Sequence, residues 1–534
     1  MNQKTSGVIL TAAMSDITIC EVFGYLPTGL IPVNGKPIIF FILEQFYKNG
    51  VKDIYIGVDY KKEQLEQIVD VYFSEKLNIK YINTDKNKSA GNSLLNIMKN
   101  IQDGKVIVNL GDTYIKKLDF QGLDDSIIVS KDFLEEEKWA TVELNDTVLT
   151  FKHRKKVQSE NVFVVCGLYS FSNIDLLREI KSINQDIQIT EILEFYNNKI
   201  SLKTIETNDW LDFGHIDKYY ISKKRLIQSR EFNSLEYNDL LGTITKRSEN
   251  KEKFRYEIKW QINLPKNLKV LAPRVLDYNI NESPFITMEY YSYPTLSEIW
   301  IFSELNEKIY YSIIDRLFKI LELFKSHKAE VSLKDYKSIY IEKTLSRISE
   351  IANSEILQLF EFEQLNINGK QYNNWDIIKN DIFDKVEELY YENDNCFIHG
   401  DFCLSNILYD LRSGIVRLID PRGIWGNDEN GDVKYDIAKL RHSICGDYDY
   451  IVSDLFEINI QHNEISYSTF NSNKINIKKY FDKKLRFSFE LKQIKLIEGL
   501  LFMSMLALHT DSPMRQKIMY AKSIELLNNV LNEE

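Results

Sequence analysis

The first part of the chain alternates short apolar runs with segments whose apolar side chains recur at helical spacing. Apolar residues recur every three or four positions at 38, 41, 42 and 46, which predicts an amphipathic helix. Strands that alternate with helices predict an α/β domain with a mainly parallel sheet and helices on both faces. The runs with the length and composition of buried strands are residues 8–13, 53–58, 79–83, 106–110 and 162–171.

The pattern changes at about Phe232, where a strand-rich stretch precedes a long helical region. A small sheet, then helices, then a polar loop between short strands predicts a two-lobed α+β domain. We therefore predict two domains, 1–230 and 231–534, and expect the segment after the polar loop to be mostly helical. The strand-like runs of the second domain are 240–247, 271–277, 284–290, 407–409 and 416–419.

Composition narrows the class of protein. A chain of 534 residues with 44% hydrophobic and 27% charged residues can form two ordinary cores. The net charge of −11 and the lack of a Lys/Arg block argue against nucleic-acid binding. Five cysteines without a CxxC pair indicate a reducing compartment, and no apolar run is long enough to insert into a membrane. We expect a cytoplasmic protein.

The strongest chemical motif is HGDFCLSN at 399–406, followed by Asp420 in LIDPRG. The carboxylate of Asp401 can accept a proton from a hydroxyl nucleophile. Asn406 and Asp420, which stand fourteen residues apart, can hold the Mg²⁺ that bridges nucleotide phosphates. A lone HGD is also found as a polar turn at a strand end, but eight contiguous residues and a correctly placed second Asp disfavour that alternative.

This segment resembles the aminoglycoside phosphotransferase and choline kinase family, and the resemblance extends from about residue 240 to the C-terminus. It implies a protein-kinase-like fold, ATP as phosphoryl donor, Mg²⁺, and a small-molecule acceptor. Lys246, at the end of an apolar run, and Glu257, eleven residues later, match the kinase Lys–Glu pair that holds the α/β-phosphates. The alternative is that both are ordinary surface charges. Only Gly242 precedes Lys246, with no GxGxxG loop.

Two further assignments rest on order along the chain. Met288, Glu289 and Tyr290 follow a strand as a kinase hinge does, and we expect their backbone to bind adenine. Arg422, next to the magnesium-binding Asp, has two interpretations: it clamps an anionic substrate group, or it pairs with a structural carboxylate such as Asp436.

In the first domain, Asp112 directly follows a strand and Asp212 lies in WLDFG much later. A carboxylate just past a parallel strand is a common metal ligand, so we predict that these two side chains share a Mg²⁺. Either residue alone is more often a helix cap or turn former.

Together with LIPVNGKPI and ITEIL, these segments resemble sugar nucleotidyltransferases, from residue 8 to about 220. The resemblance implies a Rossmann-like (GT-A-like) fold and an enzyme activity. That activity joins CTP or another NTP to a sugar phosphate or alcohol phosphate. The resemblance also implies that SAGNSLLNIM contacts the base, through Ser89, Gly91 and Asn92.

The first loop departs from that family. Thr28 stands where a Lys is expected, and residues 5–35 contain no Lys or Arg, although a pyrophosphate leaving group needs positive charge. Lys36 or Lys88 could supply it. We expect the loop 14–36 to cover the metal site, with Gly24, Gly29 and Gly35 letting backbone amides face phosphate.

The segment WLDFGHIDKYY, the altered first loop and the HGD motif together resemble bacterial capsule and lipopolysaccharide biosynthesis proteins. The resemblance implies a bifunctional enzyme that phosphorylates a sugar, polyol or amino alcohol and activates the phosphate with an NTP. The alternative is an active kinase whose first domain binds substrate without turnover. A drug-modifying kinase would leave the first domain without a role.

Overall fold

The computed structural model describes residues 4–102, 104–132, 139–145, 148–154, 161–180, 186–226, 233–351, 355–426, 429–470 and 474–532. The contacts between its residues divide the chain into two compact units. The first comprises Met1–Ile227 and Phe302–Glu304, and the second comprises Gln228–Ile301 and Leu305–Glu534. The predicted domain boundary at 230 lies outside the described residues. Within the described ranges, no helix combines the length and the apolar character needed to cross a membrane.

The first unit is mixed α/β. Its helices are α1 Ile17–Phe23, α2 Ile38–Lys48, α3 Lys62–Phe73, α4 Ala90–Met98, α5 Ile174–Glu179, α6 Ile189–Asn197 and α7 Ile216–Arg225. Its strands are β1 Thr5–Leu10, β2 Pro32–Val33, β3 Lys36–Pro37, β4 Asp53–Val58, β5 Asn78–Asn83, β6 Lys105–Asn109, β7 Thr113–Ile115, β8 Ser126–Ser130, β9 Ala140–Asn145, β10 Val148–His153, β11 Val162–Phe171, β12 Lys203–Glu206 and β13 Trp210–Asp212.

The main sheet of this unit runs β10-β9-β11-β6-β1-β4-β5 through the described residues. The strands β6, β1, β4 and β5 are parallel, with Val8 of β1 beside both Tyr55 and Val108. The prediction of a mainly parallel sheet is wrong for the other half, because β11 pairs antiparallel with β6, β8 and β9. Apolar periodicity indicates which side chains are buried but not the direction of a strand, so it did not reveal this pairing.

The segment 14–36, predicted as a loop, contains the helix α1 and a 3₁₀ turn, Thr28–Leu30. Asp16 caps α1 by accepting the amide of Thr18, at 2.9 Å. Gly24 ends the helix with φ 77°, a backbone conformation that L-residues avoid. The short apolar helix was not visible as a pattern because seven residues make only two turns.

The second unit contains α8 Lys251–Asn263, α9 Leu296–Phe302, α10 Glu307–Lys325, α11 Leu333–Lys337, α12 Lys343–Glu350, α13 Leu357–Phe360, α14 Trp375–Glu387, α15 Val433–Ile444, α16 Tyr448–Val452, α17 Ile475–Leu485, α18 Leu491–Met505 and α19 Pro513–Asn532. Its strands are β14 Asn233–Asn238, β15 Thr243–Ser248, β16 Val275–Asn279, β17 Phe285–Glu289, β18 Gln364–Ile367, β19 Lys370–Asn373, β20 Asn395–Phe397, β21 Ile407–Tyr409, β22 Val416–Leu418, β23 Asn430–Asp432, β24 Phe456–Gln461 and β25 Glu464–Thr469.

A small antiparallel sheet, in the order β14-β15-β17-β16, opens this unit, and α8 packs on it through Phe254 and Ile258. The run at 240–247 was predicted as one strand, but the strand begins at Thr243. Leu240 to Gly242 instead lie in the turn that joins β14 to β15, where Leu240 is 93% exposed. Apolar side chains at the tip of a hairpin mimic a buried strand in sequence.

The expectation of a mostly helical remainder missed a second sheet, in the order β19-β18-β25-β24. Ile367 of β18 pairs in parallel with Ile465 of β25, far away in the chain. Pairing across such a separation leaves no local signal in the sequence.

A buried charge cluster ties α15 to α17 and α18. Arg441 donates from Nε and Nη2 to the two oxygens of Asp482, at 2.9 and 3.0 Å, and from Nη1 to Glu498. Glu498 is fully buried. Burial raises the pKa of its carboxyl, and the charge of Arg441 opposes that rise. The guanidinium therefore compensates a charge that has no access to water.

We predict that Arg441→Met lowers the free energy of unfolding by about 3–5 kcal/mol, because it leaves Glu498 buried without its partner. Urea denaturation of the full chain measures this loss. The double variant Arg441→Met/Glu498→Leu removes both charges and should recover most of the stability. Equal losses in the single and double variants would contradict the assignment of the cost to an uncompensated carboxylate.

Candidate functional sites

A buried lysine connects the small sheet, the first helix and the Asp420 segment of the second unit. Lys246 lies within β15, beside Ile286 of β17. Its Nζ donates to Glu257 Oε1 of α8 at 2.6 Å and to Asp420 Oδ1 at 2.8 Å. The structure thus brings together the three residues that sequence analysis placed at one nucleotide site.

Burial governs the charge states of this triad. Burial alone would lower the pKa of Lys246, but the charges of Asp420 and Glu257 outweigh it and raise the pKa. Burial raises the pKa of Glu257 to about 7, against the attraction of Lys246. The lysine therefore stays cationic at neutral pH, as a phosphate ligand must.

The backbone of the HGD segment is fixed by Asp436 of α15. Its carboxylate accepts the amide of His399 at 2.7 Å and that of Gly400 at 2.8 Å. Gly400 has φ 74°, and a Cβ there would lie 2.8 Å from the Cβ of Arg422. A glycine is required at this turn for both reasons. Asp436 thus fixes the backbone of the two residues before Asp401, and this orients Asp401 itself.

Asp401 is held from two sides. Asn406 Nδ2 donates to its Oδ2 at 2.9 Å and to its backbone carbonyl at 3.0 Å, while Lys439 of α15 lies 3.0 Å from its Oδ1. Burial would raise the pKa of Asp401, but the charge of Lys439 and its hydrogen bond lower it below the usual range. The carboxylate is therefore ionised and positioned at neutral pH, as a proton acceptor should be.

A cavity of about 490 Å³ is lined by Lys246, Asp401, Asn406 and Asp420 together with Tyr435 and Lys439. The residues fit a hard cation such as Mg²⁺. Because the Nδ2 of Asn406 is used by Asp401, its carbonyl oxygen is the group that can ligate, and Asp420 adds a carboxylate that is 42% exposed. Among the described residues no three His, Cys, Asp or Glu cluster as a metal cage, so water and phosphate would complete the shell.

Of the two interpretations of Arg422, the pairing with Asp436 is wrong. The oxygens of Asp436 take the backbone amides of the HGD turn, and Arg422 Nη1 donates to Tyr435 Oη at 3.0 Å. Arg422 also faces the cavity.

The residues predicted as a hinge lie at the end of β17. The amide of Glu289 donates to Arg274 and that of Tyr290 to Gly242, both at 3.0 Å. These two amides are thus used within the sheet, and Met288, Glu289 and Tyr290 do not border the described cavity. Adenine binding by this segment stays a prediction.

In the first unit the two predicted metal ligands converge. The amide of Phe213 donates to the carbonyl of Asp112 at 2.9 Å, and β13 pairs with β7 so that Asp212 lies opposite Thr113. A Cβ on Gly214 would lie 2.4 Å from Asp112 Oδ2, so only glycine leaves room for that carboxylate. Burial, followed by the charge of Asp212, raises the pKa of Asp112 to about 7. Two such carboxylates fit a divalent cation, which would relieve their repulsion.

Sequence analysis missed three neighbours of this pair. His215 Nδ1 lies 2.8 Å from Asp212 Oδ2, and Trp139 Nε1 donates to the same oxygen at 3.2 Å. Burial would lower the pKa of His215, but Asp212 raises it. The charge of Arg154, just past β10, lowers the pKa of Asp112. His215 was visible in DFGH, whereas Arg154 stands in a basic run without motif context.

The role of the cations expected near the first loop stays a prediction. Lys36 and Lys88 are both exposed. Asp16, at the start of α1, interacts electrostatically with His215 and Arg154, so this segment does approach the carboxylate pair. Gly35 has φ 88° in the β2–β3 turn, whereas a Cβ on Gly29 would meet the side chain of Thr11 at 2.8 Å.

The SAGN segment forms the start of α4. Ser89 caps the helix by accepting the amide of Asn92 at 3.3 Å, and Asn92 Nδ2 donates to Asp186 at 2.7 Å. A Cβ on Gly91 would lie 2.2 Å from the carbonyl oxygen of Ile187. These contacts give the segment a structural role, and its contact with a base stays a prediction.

Comparison with known proteins finds relatives for part of the chain, and no family model matches it. The D-glycero-alpha-D-manno-heptose 1-phosphate guanylyltransferase of Campylobacter jejuni is 23% identical over 202 residues, which is 36% of this chain and 88% of the relative. The enzyme of the same name from Aneurinibacillus thermoaerophilus is 23% identical over 223 residues, 39% of this chain and 92% of the relative. The crystal structure of HddC from Yersinia pseudotuberculosis matches with 20% identity and a TM-score of 0.34, over 42% of this chain and 99% of that one.

These relatives support the nucleotidyltransferase-like interpretation of the N-terminal part, and the α/β fold class agrees with the structure. The kinase interpretation of the second unit is not tested by them and stays a prediction. The N-terminal part of the chain is similar to sugar-phosphate nucleotidyltransferases.

Proposed function

We propose that the protein is a bifunctional enzyme of surface glycan biosynthesis. The second unit transfers the γ-phosphoryl group of ATP to a hydroxyl of a small molecule. The first unit joins an NTP to a sugar phosphate or alcohol phosphate and releases pyrophosphate. The observation that carries the kinase assignment is the contact of Lys246 with both Glu257 and Asp420, at 2.6 and 2.8 Å.

The contacts of the second unit suit a kinase better than a set of surface charges. Lys246 is buried within β15, where an unpaired ammonium would be costly, and both of its partners line the same cavity. Lys246 would hold the α- and β-phosphates. Asn406 and Asp420 would hold Mg²⁺, which when bound neutralises charge on the phosphates.

Asp401 orients the acceptor hydroxyl. Its carboxylate accepts the hydroxyl proton while Lys439 and Asn406 fix its two oxygens. A base that is held on both sides cannot rotate away from the cavity, and positioning is the main contribution a protein makes to phosphoryl transfer.

In the first unit, similarity to heptose 1-phosphate guanylyltransferases supports a sugar phosphate as substrate. Asp112 and Asp212 would hold Mg²⁺, which when bound draws in the phosphates of the NTP. His215 and Arg154 contribute positive charge at this end of the sheet. They are the candidates for the role of the cations that residues 5–35 lack.

We predict that Asp401→Asn lowers ATP-dependent phosphoryl transfer on the order of 10²–10⁴-fold, because the amide cannot accept the hydroxyl proton. Binding of ATP should be nearly unchanged. ADP release over a panel of sugars, polyols and their phosphates measures the transfer. Asp381→Asn, an exposed carboxylate on α14, is the matched control and should behave as the wild type. Equal rates in Asp401→Asn and the wild type would refute the kinase assignment.

We predict that Asp112→Asn lowers pyrophosphate release about 10²-fold or more, and that release at limiting Mg²⁺ rises with pH through about 7. The sign follows because burial and Asp212 raise the pKa of Asp112, and a metal needs the carboxylate deprotonated. Higher Mg²⁺ should move the rise to lower pH. The exposed Asp119→Asn is the control. Absence of release with every NTP and sugar phosphate would favour a first unit that binds without turnover.

A further inference from the structure

The cavity of the second unit carries an excess of positive charge. Lys343, Arg347, Arg422 and Lys439 all line it. The carboxylates that line the whole cavity are Glu257, Asp401 and Asp420. Of these, Glu257 and Asp420 pair with Lys246. Lys253 also lines the cavity and acts on Glu257, whose pKa it lowers. Arg347 pairs with Glu350 on its own helix, at 2.7 Å. Asp401 is thus the remaining lining carboxylate for Lys343, Arg422 and Lys439, in a chain whose net charge is −11.

A buried tyrosine organises the cluster. Tyr435 Oη accepts hydrogen bonds from Lys343 Nζ at 3.1 Å and from Arg422 Nη1 at 3.0 Å. Tyr435 and Lys439 stand four residues apart on α15, so they share one face of the helix. Lys439 contacts Asp401 at 3.0 Å. The cluster therefore extends from the catalytic carboxylate to Lys343 and Arg422 without a break.

The helix that carries Lys343, α12, also begins from an unusual backbone turn. Ser338–Glu342 forms a π-helical turn that runs directly into α12. Such turns are rare and occur often at functional sites, because they rotate the face of the helix that follows. Lys343 and Arg347 are four residues apart on α12 and border the same cavity.

The cations at the centre of the cluster have no acidic partner. In the described part of the chain, Lys343 and Arg422 form no ion pair, and their hydrogen-bond partner is the hydroxyl of Tyr435. Their charge holds the pKa of Tyr435 at about 8, although burial alone would raise it. Clustered cations that the fold itself does not neutralise are costly unless a ligand supplies the negative charge.

The nucleotide does not account for this charge. Lys246, which would hold the α- and β-phosphates, binds Glu257 and Asp420. Lys343 and Arg422 are linked instead to Asp401, through Tyr435 and Lys439. Asp401 is the residue that faces the acceptor in the proposed reaction.

We propose that the acceptor of the second unit carries an anionic group, a phosphate or a carboxylate, which Lys343 and Arg422 bind while its hydroxyl lies at Asp401. This inference rests on the proposed kinase function and narrows its substrate class. In the reaction, the hydroxyl oxygen forms a bond to the γ-phosphorus and the bond to the β-γ bridging oxygen breaks. The hydroxyl proton passes to Asp401, and ADP leaves. A positively charged amino alcohol would be repelled by the same cluster.

The test compares acceptors of different charge, with the full chain at saturating ATP and Mg²⁺. A hexose, its 6-phosphate, the corresponding hexuronate and ethanolamine cover neutral, phosphate, carboxylate and cationic acceptors. We expect kcat/KM to be highest for one of the two anionic acceptors. Lys343→Gln and Arg422→Gln should each lower it about 10- to 100-fold, with little change in the KM for ATP. Lys379→Gln, a surface lysine paired with Asp376, is the control.

The outcomes separate the two proposals. Preference for the neutral or cationic acceptor, or a rise in the KM for ATP in both variants, would overturn the anion site while leaving the kinase in place. Absence of transfer to any acceptor would instead count against the kinase. Titration with inorganic phosphate, in the presence of a non-hydrolysable ATP analogue, tests the anion site independently of turnover. Equal phosphate affinity in the wild type, Lys343→Gln and Arg422→Gln would overturn it.

Discussion

The second unit depends on the compensation of one buried ammonium. Lys246 lies inside the small sheet, and its charge is tolerable only because Glu257 from α8 and Asp420 from the segment after β22 reach it. Loss of both partners would leave the ammonium buried without compensation, at a cost of about 3–5 kcal/mol. The strand, the helix and the segment that carries Asp420 therefore have to be in place together. The proposed nucleotide site is thus complete only in the folded unit.

The first unit has to accommodate two neighbouring negative charges instead of one buried positive charge. Asp112 and Asp212 bring two carboxylates together, and burial raises the pKa of Asp112 to about 7. His215 and Arg154 reduce the repulsion, and a divalent cation would complete the balance. Among the described residues, this positive charge comes from His215 and Arg154, which follow β13 and β10. A first loop without Lys or Arg is thus compatible with a charged substrate.

How much of the structure can be predicted from the sequence depends on how far apart along the chain the interacting residues are. The strands 53–58 and 162–171 were placed at their observed bounds, because buried apolar runs are local signals. The contacts of Lys246 followed from motif order, although 174 residues separate it from Asp420. Tyr435, Lys343 and Lys439 belong to no motif, so nothing in the sequence joined them to Arg422. The second sheet of the same unit was missed for the same reason, since Ile367 pairs with Ile465.

In the proposed reaction, charge also explains why a cation cluster lies next to Asp401. ATP is polyanionic, and an anionic acceptor would be repelled by it inside a cavity of about 490 Å³ where water screens poorly. Lys246 pairs with Glu257 and Asp420. Because these carboxylates compensate its charge, it cannot offset the repulsion between ATP and a second anionic ligand. Separate cations are needed on the acceptor side, held away from the carboxylate pair. The hydroxyl of Tyr435 meets that requirement, because it binds Lys343 and Arg422 without neutralising them. A carboxylate at this position would have formed ion pairs and removed the attraction for the acceptor.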